Sequence, residues 1–213
     1  MIFEILFENN DFIAVDKPPG ITSAHESKKS DTSLFELVCR KLNQKLFIVH
    51  RLDKEVSGVI LFAKSPEVHK QLNSLFAGRK VKKTYEAIVH GIVKETSGVI
   101  ENPIREFGSG RMSVDNKRGM PAKTEYIVIK QFRDAAHLNV FPKTGRRHQI
   151  RVHLYSIGHP IIGDLKYGDK NLQGGFPRLM LHSSRIEFVF KEREFLIESL
   201  LPEEMKKFLN SLE

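Results

Sequence analysis

The chain is poor in cysteine, in long apolar runs and in acid relative to base, and each shortage excludes something. A single cysteine, Cys39, rules out an internal disulfide and any all-cysteine metal site within the chain. No apolar stretch approaches the roughly eighteen residues of a membrane span, and the opening MIFEILFENN carries acids where a secretory leader has a basic region. No membrane partner is expected, and the expected location is the cytoplasm. Neither repeats nor low-complexity tracts nor a linker-like composition interrupt the sequence. With 213 residues, 40% of them hydrophobic, the chain can bury a proper core, and we expect one domain over residues 1–213. Because a strand pattern begins at residue 2, no N-terminal accessory domain is expected.

Base is in excess: 34 Lys and Arg against 26 acids give a net charge of +8 and a pI near 9.5. The excess is clustered in RKVKK (79–83), which includes Lys82 and Lys83, in REFGSGRMSVDNKRG (105–119), and in KTGRRHQIR (143–151), which includes Arg146, Arg147 and His148. One such run reads as a solvated face. Three in one domain favour a polyanionic partner.

Local patterns predict a mixed architecture. IFEILFE and FIAVDK read as strands, the second ending at the turn Pro18-Pro19-Gly20, and residues 21–31 as polar loop. Ser33 and Glu36 form a capping-box signature ahead of Leu34, Leu37, Val38 and Leu42, with Cys39 packed in the same helix. GVILFAK is an uninterrupted apolar run of the kind buried on both faces. Ser65 and Pro66 open a second helix that Gly78 stops. TYEAIVHG, VIENPIR, TEYIVIKQF and HLNVFPK alternate as strands, and RHQIRVHLYSIG is spaced as a helix through Ile150, Leu154 and Ile157. LMLHSSRIEFVF and EREFLIESL suggest a hairpin, and a last helix follows Pro202. The expected class is α+β, a long mixed, mostly antiparallel sheet flanked by helices and loops.

Several chemistries fail on spacing. His148 and His153 are five apart with no acid between them, so the zincin pattern is missing and no metal site is expected. The GSG of residues 108–110 lacks the Lys and Ser/Thr of a phosphate loop and reads as a turn, and GxSxG is absent. What stands out is HRLDKEVSG (50–58), an acid two residues behind an arginine in a basic chain. An Arg-x-Asp is by itself most often a surface pair worth little. A buried, reactive aspartate needs a cation to stay ionised, because desolvation opposes its charged form. Arg151 is one candidate, since it can give a carboxylate two parallel N–H groups. Spacing alone does not establish that the two meet.

HRLDKEVSG, KKTYEAIVHG, KTGRRHQIRVHL, HPIIGDLKYG and RLMLHSSRIEF, in this order from about residue 5 to residue 190, resemble the motif series of the RluA-type pseudouridine synthases. The resemblance implies the pseudouridine synthase fold without an accessory RNA-binding domain, and an isomerase that converts uridine to pseudouridine in a structured RNA, a ribosomal or transfer RNA stem-loop. It implies no metal or organic cofactor, and a monomer is expected. It also implies roles: Asp53 as the catalytic carboxylate, Tyr85 stacked on the target uracil, Arg151 salt-bridged to the aspartate, Leu181 as an apolar wall, and Arg51 near the place a flipped nucleotide leaves. His50, Lys82, Lys83, Arg146, Arg147 and His148 are expected to contact RNA. Val56 stands where relatives often carry Thr, and Arg147 adds a charge to the commoner TGRTHQ. The alternative is a non-catalytic RNA-binding or RNA-folding factor on the same fold.

Overall fold

The computed structural model describes residues 3–24, 32–108 and 110–213, so most of the polar loop expected over 21–31 lies outside the described residues, as does Ser109. In chain order the elements are β1 (Glu4–Glu8), β2 (Phe12–Lys17), α1 (Leu34–Leu42), β3 (Phe47–Ile48), β4 (Ser57–Ala63), α2 (Pro66–Ala77), β5 (Lys82–His90) and β6 (Ser97–Ile100). There follow β7 (Ile104–Glu106), β8 (Met112–Val114), β9 (Thr124–Gln131), β10 (Ala135–Pro142), α3 (Gln149–Ser156), α4 (Lys170–Gln173), β11 (Leu181–Phe190), β12 (Arg193–Glu198) and α5 (Glu203–Ser211). They group into two compact units, Met1–Lys83 with Ser183–Leu200, and Thr84–His182 with Leu201–Glu213.

The first unit is organised by β4. All seven of its residues are buried, β2 pairs with it antiparallel from Phe12–Ala63 to Lys17–Gly58, and β3 adds a short antiparallel rung. β1 extends the sheet beyond β2, and β11 and β12 form the expected hairpin. One face is filled by Phe7, Phe12, Phe188 and Phe195, whose rings meet at centroid distances of 5.0–5.6 Å. Helix α1 begins as its capping box requires, with the Ser33 hydroxyl accepting from the Glu36 N–H and the Glu36 carboxylate accepting from the Ser33 N–H. Helix α2 has Ser65 as cap and Pro66 in its first turn.

The second unit carries an antiparallel sheet in the order β5-β10-β9-β6 and a separate hairpin, β7–β8. The single strand expected over VIENPIR is two: the chain leaves β9 after Ile100, and from Ile104 it pairs with β8 instead. Pro103 in the break has no N–H to continue a ladder. Strand β8 and the four-residue α4 carry too little periodicity to be read from sequence. Of the turn expected over 108–110, Gly108 and Gly110 are described, between β7 and β8, with the Gly110 N–H donating to Phe107 O at 2.8 Å. Ile104, Met112, Ala122, Val152 and Tyr167 make a small buried cluster under the hairpin.

Gly58 explains the last residue of the HRLDKEVSG motif. Its φ is +113°, and a Cβ there would lie 2.2 Å from the backbone oxygen of Ser183 on β11. Backbone cannot retreat as a side chain can, so Gly58→Ala is expected to lower stability by about 2 kcal/mol or more. Urea unfolding checks this, and a loss below about 0.5 kcal/mol, the range of neutral surface changes, would show that the strand relaxes.

Candidate active site

Asp53 lies in the first unit, half-buried, in the loop between β3 and β4. Both of its neighbours are tied down. The buried Ser23 hydroxyl donates to Leu52 O at 2.8 Å and accepts from the Leu52 N–H at 3.0 Å. Lys54 O accepts from the Gly20 N–H at 2.8 Å and from Lys17 Nζ at 3.0 Å. Lys17 ends β2 with no exposed surface, and its ammonium also donates to Pro18 O at 3.0 Å and Ile21 O at 2.8 Å. A buried ammonium needs an acceptor for each proton. Lys17 therefore holds together the Pro18-Pro19-Gly20 turn and the Asp53 loop. The loop closes on itself through the Val56 N–H to Asp53 O, 3.1 Å, and the Val56 side chain is buried.

The neighbours in the motif divide by role. Arg51 is exposed. The His50 ring stacks on Phe76 at 4.7 Å, and its Nε2 accepts from the Leu61 N–H of β4 at 3.1 Å, so the imidazole extends the short β3 pairing. Burial first, and the Lys83 ammonium second, hold its pKa down at about 3. His50 is thus a neutral positioning group for Arg51 and Leu52, with its ring nitrogen engaged by backbone. Lys82 is exposed, whereas Lys83 is half-buried and its pKa is lowered by desolvation.

In the second unit, Arg151 is buried on α3 and makes a bidentate pair with Asp164, Nε to Oδ2 and Nη2 to Oδ1, both at 2.8 Å. Neither side chain reaches solvent appreciably, at 4% and 0% exposure. Loss of stability in Arg151→Met would therefore follow from the stranded Asp164 carboxylate, whatever Arg151 does for Asp53. Helix α3 is buried from Gln149 to Leu154, on every side and not along one stripe. Its polar side chains are matched instead. Gln149 accepts from the Thr144 hydroxyl (2.6 Å) and the Arg146 N–H (3.0 Å), and donates to Lys123 O (2.9 Å) and Thr124 Oγ1 (3.0 Å). His153 joins Thr124 Oγ1 and Asn102 O, and burial lowers its pKa. Tyr85 is half-buried on β5 opposite Val140, and Leu181 is buried at the start of β11.

The expected RNA contacts are partly engaged within the protein. Arg147 pairs with Glu106 of β7 at 2.7 Å, about half-exposed on both sides, and Arg146 Nε donates to Pro121 O at 3.2 Å. His148 begins α3 in a left-handed conformation, φ 53°, with Nδ1 2.7 Å from the Tyr167 hydroxyl. An exposed ion pair such as Arg147–Glu106 is worth little and yields readily to a phosphate. Of the expected residues, then, the first unit carries His50, Arg51, Asp53, Lys82 and Lys83, and the second Tyr85, Arg146, Arg147, His148, Arg151 and Leu181. Sequence reading assigned no role to Lys17, Ser23, Gln149, Asp164 or Tyr167. Asp164 and Tyr167 stand in the quoted HPIIGDLKYG, so position in a motif was the available signal. Among the described residues, no three His, Cys, Asp or Glu side chains cluster as a metal site, and no helix is long and apolar enough to cross a membrane.

Comparison with known proteins gives these features a family. Residues 11–156 match the family described as RNA pseudouridylate synthase. A ribosomal large subunit pseudouridine synthase C from Buchnera aphidicola (Acyrthosiphon pisum) is 32% identical over 225 residues, covering 100% of this chain and 71% of that protein. An uncharacterized RNA pseudouridine synthase of Helicobacter pylori J99 is 34% identical, covering 97% of this chain and 76% of that one. Among solved structures, human RNA pseudouridylate synthase domain containing 4 superposes with a TM-score of 0.82 at 26% identity, covering 98% of this chain and 92% of its own. The chain belongs to the RNA pseudouridylate synthase family, in its RluA-type branch, with the α+β fold expected from its motifs. It is an RNA pseudouridine synthase, an isomerase.

The histidines set a pH dependence of stability. Below the ordinary histidine pKa of 6.5 the unfolded chain takes a proton on His50 that the folded chain refuses until about pH 3. This contribution is full above pH 6.5 and is lost as pH falls from there. His153 acts in the same direction. Stability at pH 5 is expected to be roughly 1–2 kcal/mol below that at pH 8 on account of His50, with a shallower slope in His50→Gln. Urea titrations at both pH values check it, and equal stabilities with an unchanged His50→Gln slope would contradict it.

Proposed function

We propose that this enzyme isomerises uridine in large-subunit ribosomal RNA, with Asp53 as the catalytic carboxylate and the two units acting as one catalytic domain. The observation that carries the assignment of Asp53 is the tethering of its loop: Leu52 and Lys54 are each held by two hydrogen bonds from outside the loop. Such preorganisation is what a group acting on a sugar carbon requires, since about an ångström of misplacement lowers rates on the order of 100-fold. The substrate class rests on relatives named as ribosomal large subunit pseudouridine synthases.

In this reading the bond from N1 of the target uracil to the sugar's C1′ breaks, the uracil turns, a bond forms from its carbon 5 to the same sugar carbon, and carbon 5 gives up its proton while N1 gains one. Asp53 serves as the carboxylate, whether by attack on the sugar or by taking a proton from it; both roles need the charged form. Arg151 supplies the balancing cation, Tyr85 the stacking face for the uracil, and Leu181 an apolar wall. Flipping the nucleotide forfeits roughly a few kcal/mol of stacking. The exposed Arg51 guanidinium, planar and always charged, is suited to replace part of that loss. The three basic clusters hold phosphates.

The direct test is tritium release from RNA labelled at carbon 5 of uridine, comparing unmodified ribosomal and transfer RNA. Release from ribosomal RNA, indifferent to chelator, is expected. Release from transfer RNA alone would overturn the substrate assignment, and release from neither would overturn the proposal. Four to six phosphate contacts at about 0.7 each predict a slope of log K against log salt of roughly −3 to −4 for a single-stranded segment. A slope near zero would remove the basic clusters from the interface.

A further inference from the structure

We propose that Asp164 and Tyr167 are positioning residues that seat the Arg151 guanidinium for the reaction, and that the Tyr167 hydroxyl ties this seat to the β7–β8 hairpin. The inference rests on the reading of Arg151 as part of the reactive centre. A guanidinium needs no help to stay charged. What it lacks is a fixed direction, and this is what the two residues give.

Asp164 grips one edge of the guanidinium through two bonds of 2.8 Å. The grip is itself immobile, because Asp164 Oδ1 also accepts from the Lys166 N–H at 3.0 Å and the Tyr167 N–H at 3.1 Å. Gly163, just before it, has φ +78° and leaves no room for a Cβ, which would lie 1.9 Å from Arg178 O. Only glycine fits that position, and the turn it makes brings Asp164 Oδ1 to the two backbone N–H groups that hold it. Tyr167, 1% exposed, supplies the second surface: the Arg151 guanidinium carbon lies 5.2 Å from its ring centroid. Held at its edge by a carboxylate and at its face by a ring, the guanidinium cannot swing about its own stem.

The same ring serves the hairpin. Arg111 lies over it at 5.3 Å, the next N–H along, that of Met112, donates to the Tyr167 hydroxyl at 3.2 Å, and that hydroxyl is 2.7 Å from His148 Nδ1. The hairpin also bears Arg105, paired with Asp115 at 3.3 Å, within the basic run of residues 105–119. RNA held on the hairpin thus bears on the ring against which Arg151 rests. An ion pair serving stability alone would need neither the shared ring nor the hydroxyl link.

Single-turnover tritium release separates a positioning role from a structural one. Asp164→Asn is expected to lower the rate at least about 30-fold, and Tyr167→Phe about tenfold, with RNA affinity within about threefold of wild type in each case. In an Arg151→Lys background, whose ammonium cannot take the two-bond grip, neither change lowers the rate further. Tyr167→Phe removes one oxygen and keeps the ring, so it carries the test even where Asp164→Asn does not fold. Wild-type rates in both variants beside a slow Arg151→Lys, or losses that multiply with Arg151→Lys, would overturn the seat alone. An Arg151→Lys enzyme as fast as wild type would instead remove Arg151 from the reactive centre.

Discussion

A charge taken out of water must be surrounded by partners, and in this protein the partners of the buried charges are the segments that bear the side chains proposed to react. The Lys17 ammonium is the simplest case. Fully buried, it draws Pro18 O, Ile21 O and Lys54 O to one point, and so joins the turn after β2 to the Asp53 loop. The Arg151–Asp164 pair does the same for α3 and the turn after it. Breaking such a pair on one side costs on the order of 3–5 kcal/mol, which keeps both partners, and the backbone behind them, in one place.

Neutral polar groups complete the work in each unit. In the first, Ser23 holds both backbone groups of Leu52, and His50 carries the strand pairing of β4 to the edge of the Asp53 loop. In the second, Gln149 uses both ends of its amide to fasten the loop before α3 to β9. The motifs of the family read accordingly as lists of anchors as much as of catalysts.

What was legible in the sequence was whatever is decided locally. The cap of α1 at Ser33 and Glu36, the start of α2 at Pro66 and the burial of β4 are each written in a few adjacent residues, and the structure follows them. Helix α3 follows from the spacing of Ile150 and Leu154, whereas the burial of Gln149, Arg151 and His153 does not, because they are matched by distant partners that no periodicity records. The separation of β7 from β6 depends on pairing with Met112–Val114, and three residues in a polar stretch give no signal of that. No local pattern marks Lys17 as buried, since one of its acceptors, Lys54 O, lies 37 residues away. Asp53 was legible as a candidate from its motif, while its tethers were not, since Ser23 and Lys17 lie far from it along the chain.

We propose above all that the tethered carboxylate of Asp53 carries the chemistry of an enzyme whose basic surface carries the binding. The measurement that tests it most directly is carbon-5 tritium release by Asp53→Asn beside wild type, with RNA affinity measured on the same preparations. No detectable release by the variant is expected, with RNA binding within about threefold of wild type, since the change removes a charge and keeps the shape. Release at a rate comparable to wild type would contradict it, and would place the reactive group elsewhere in the molecule.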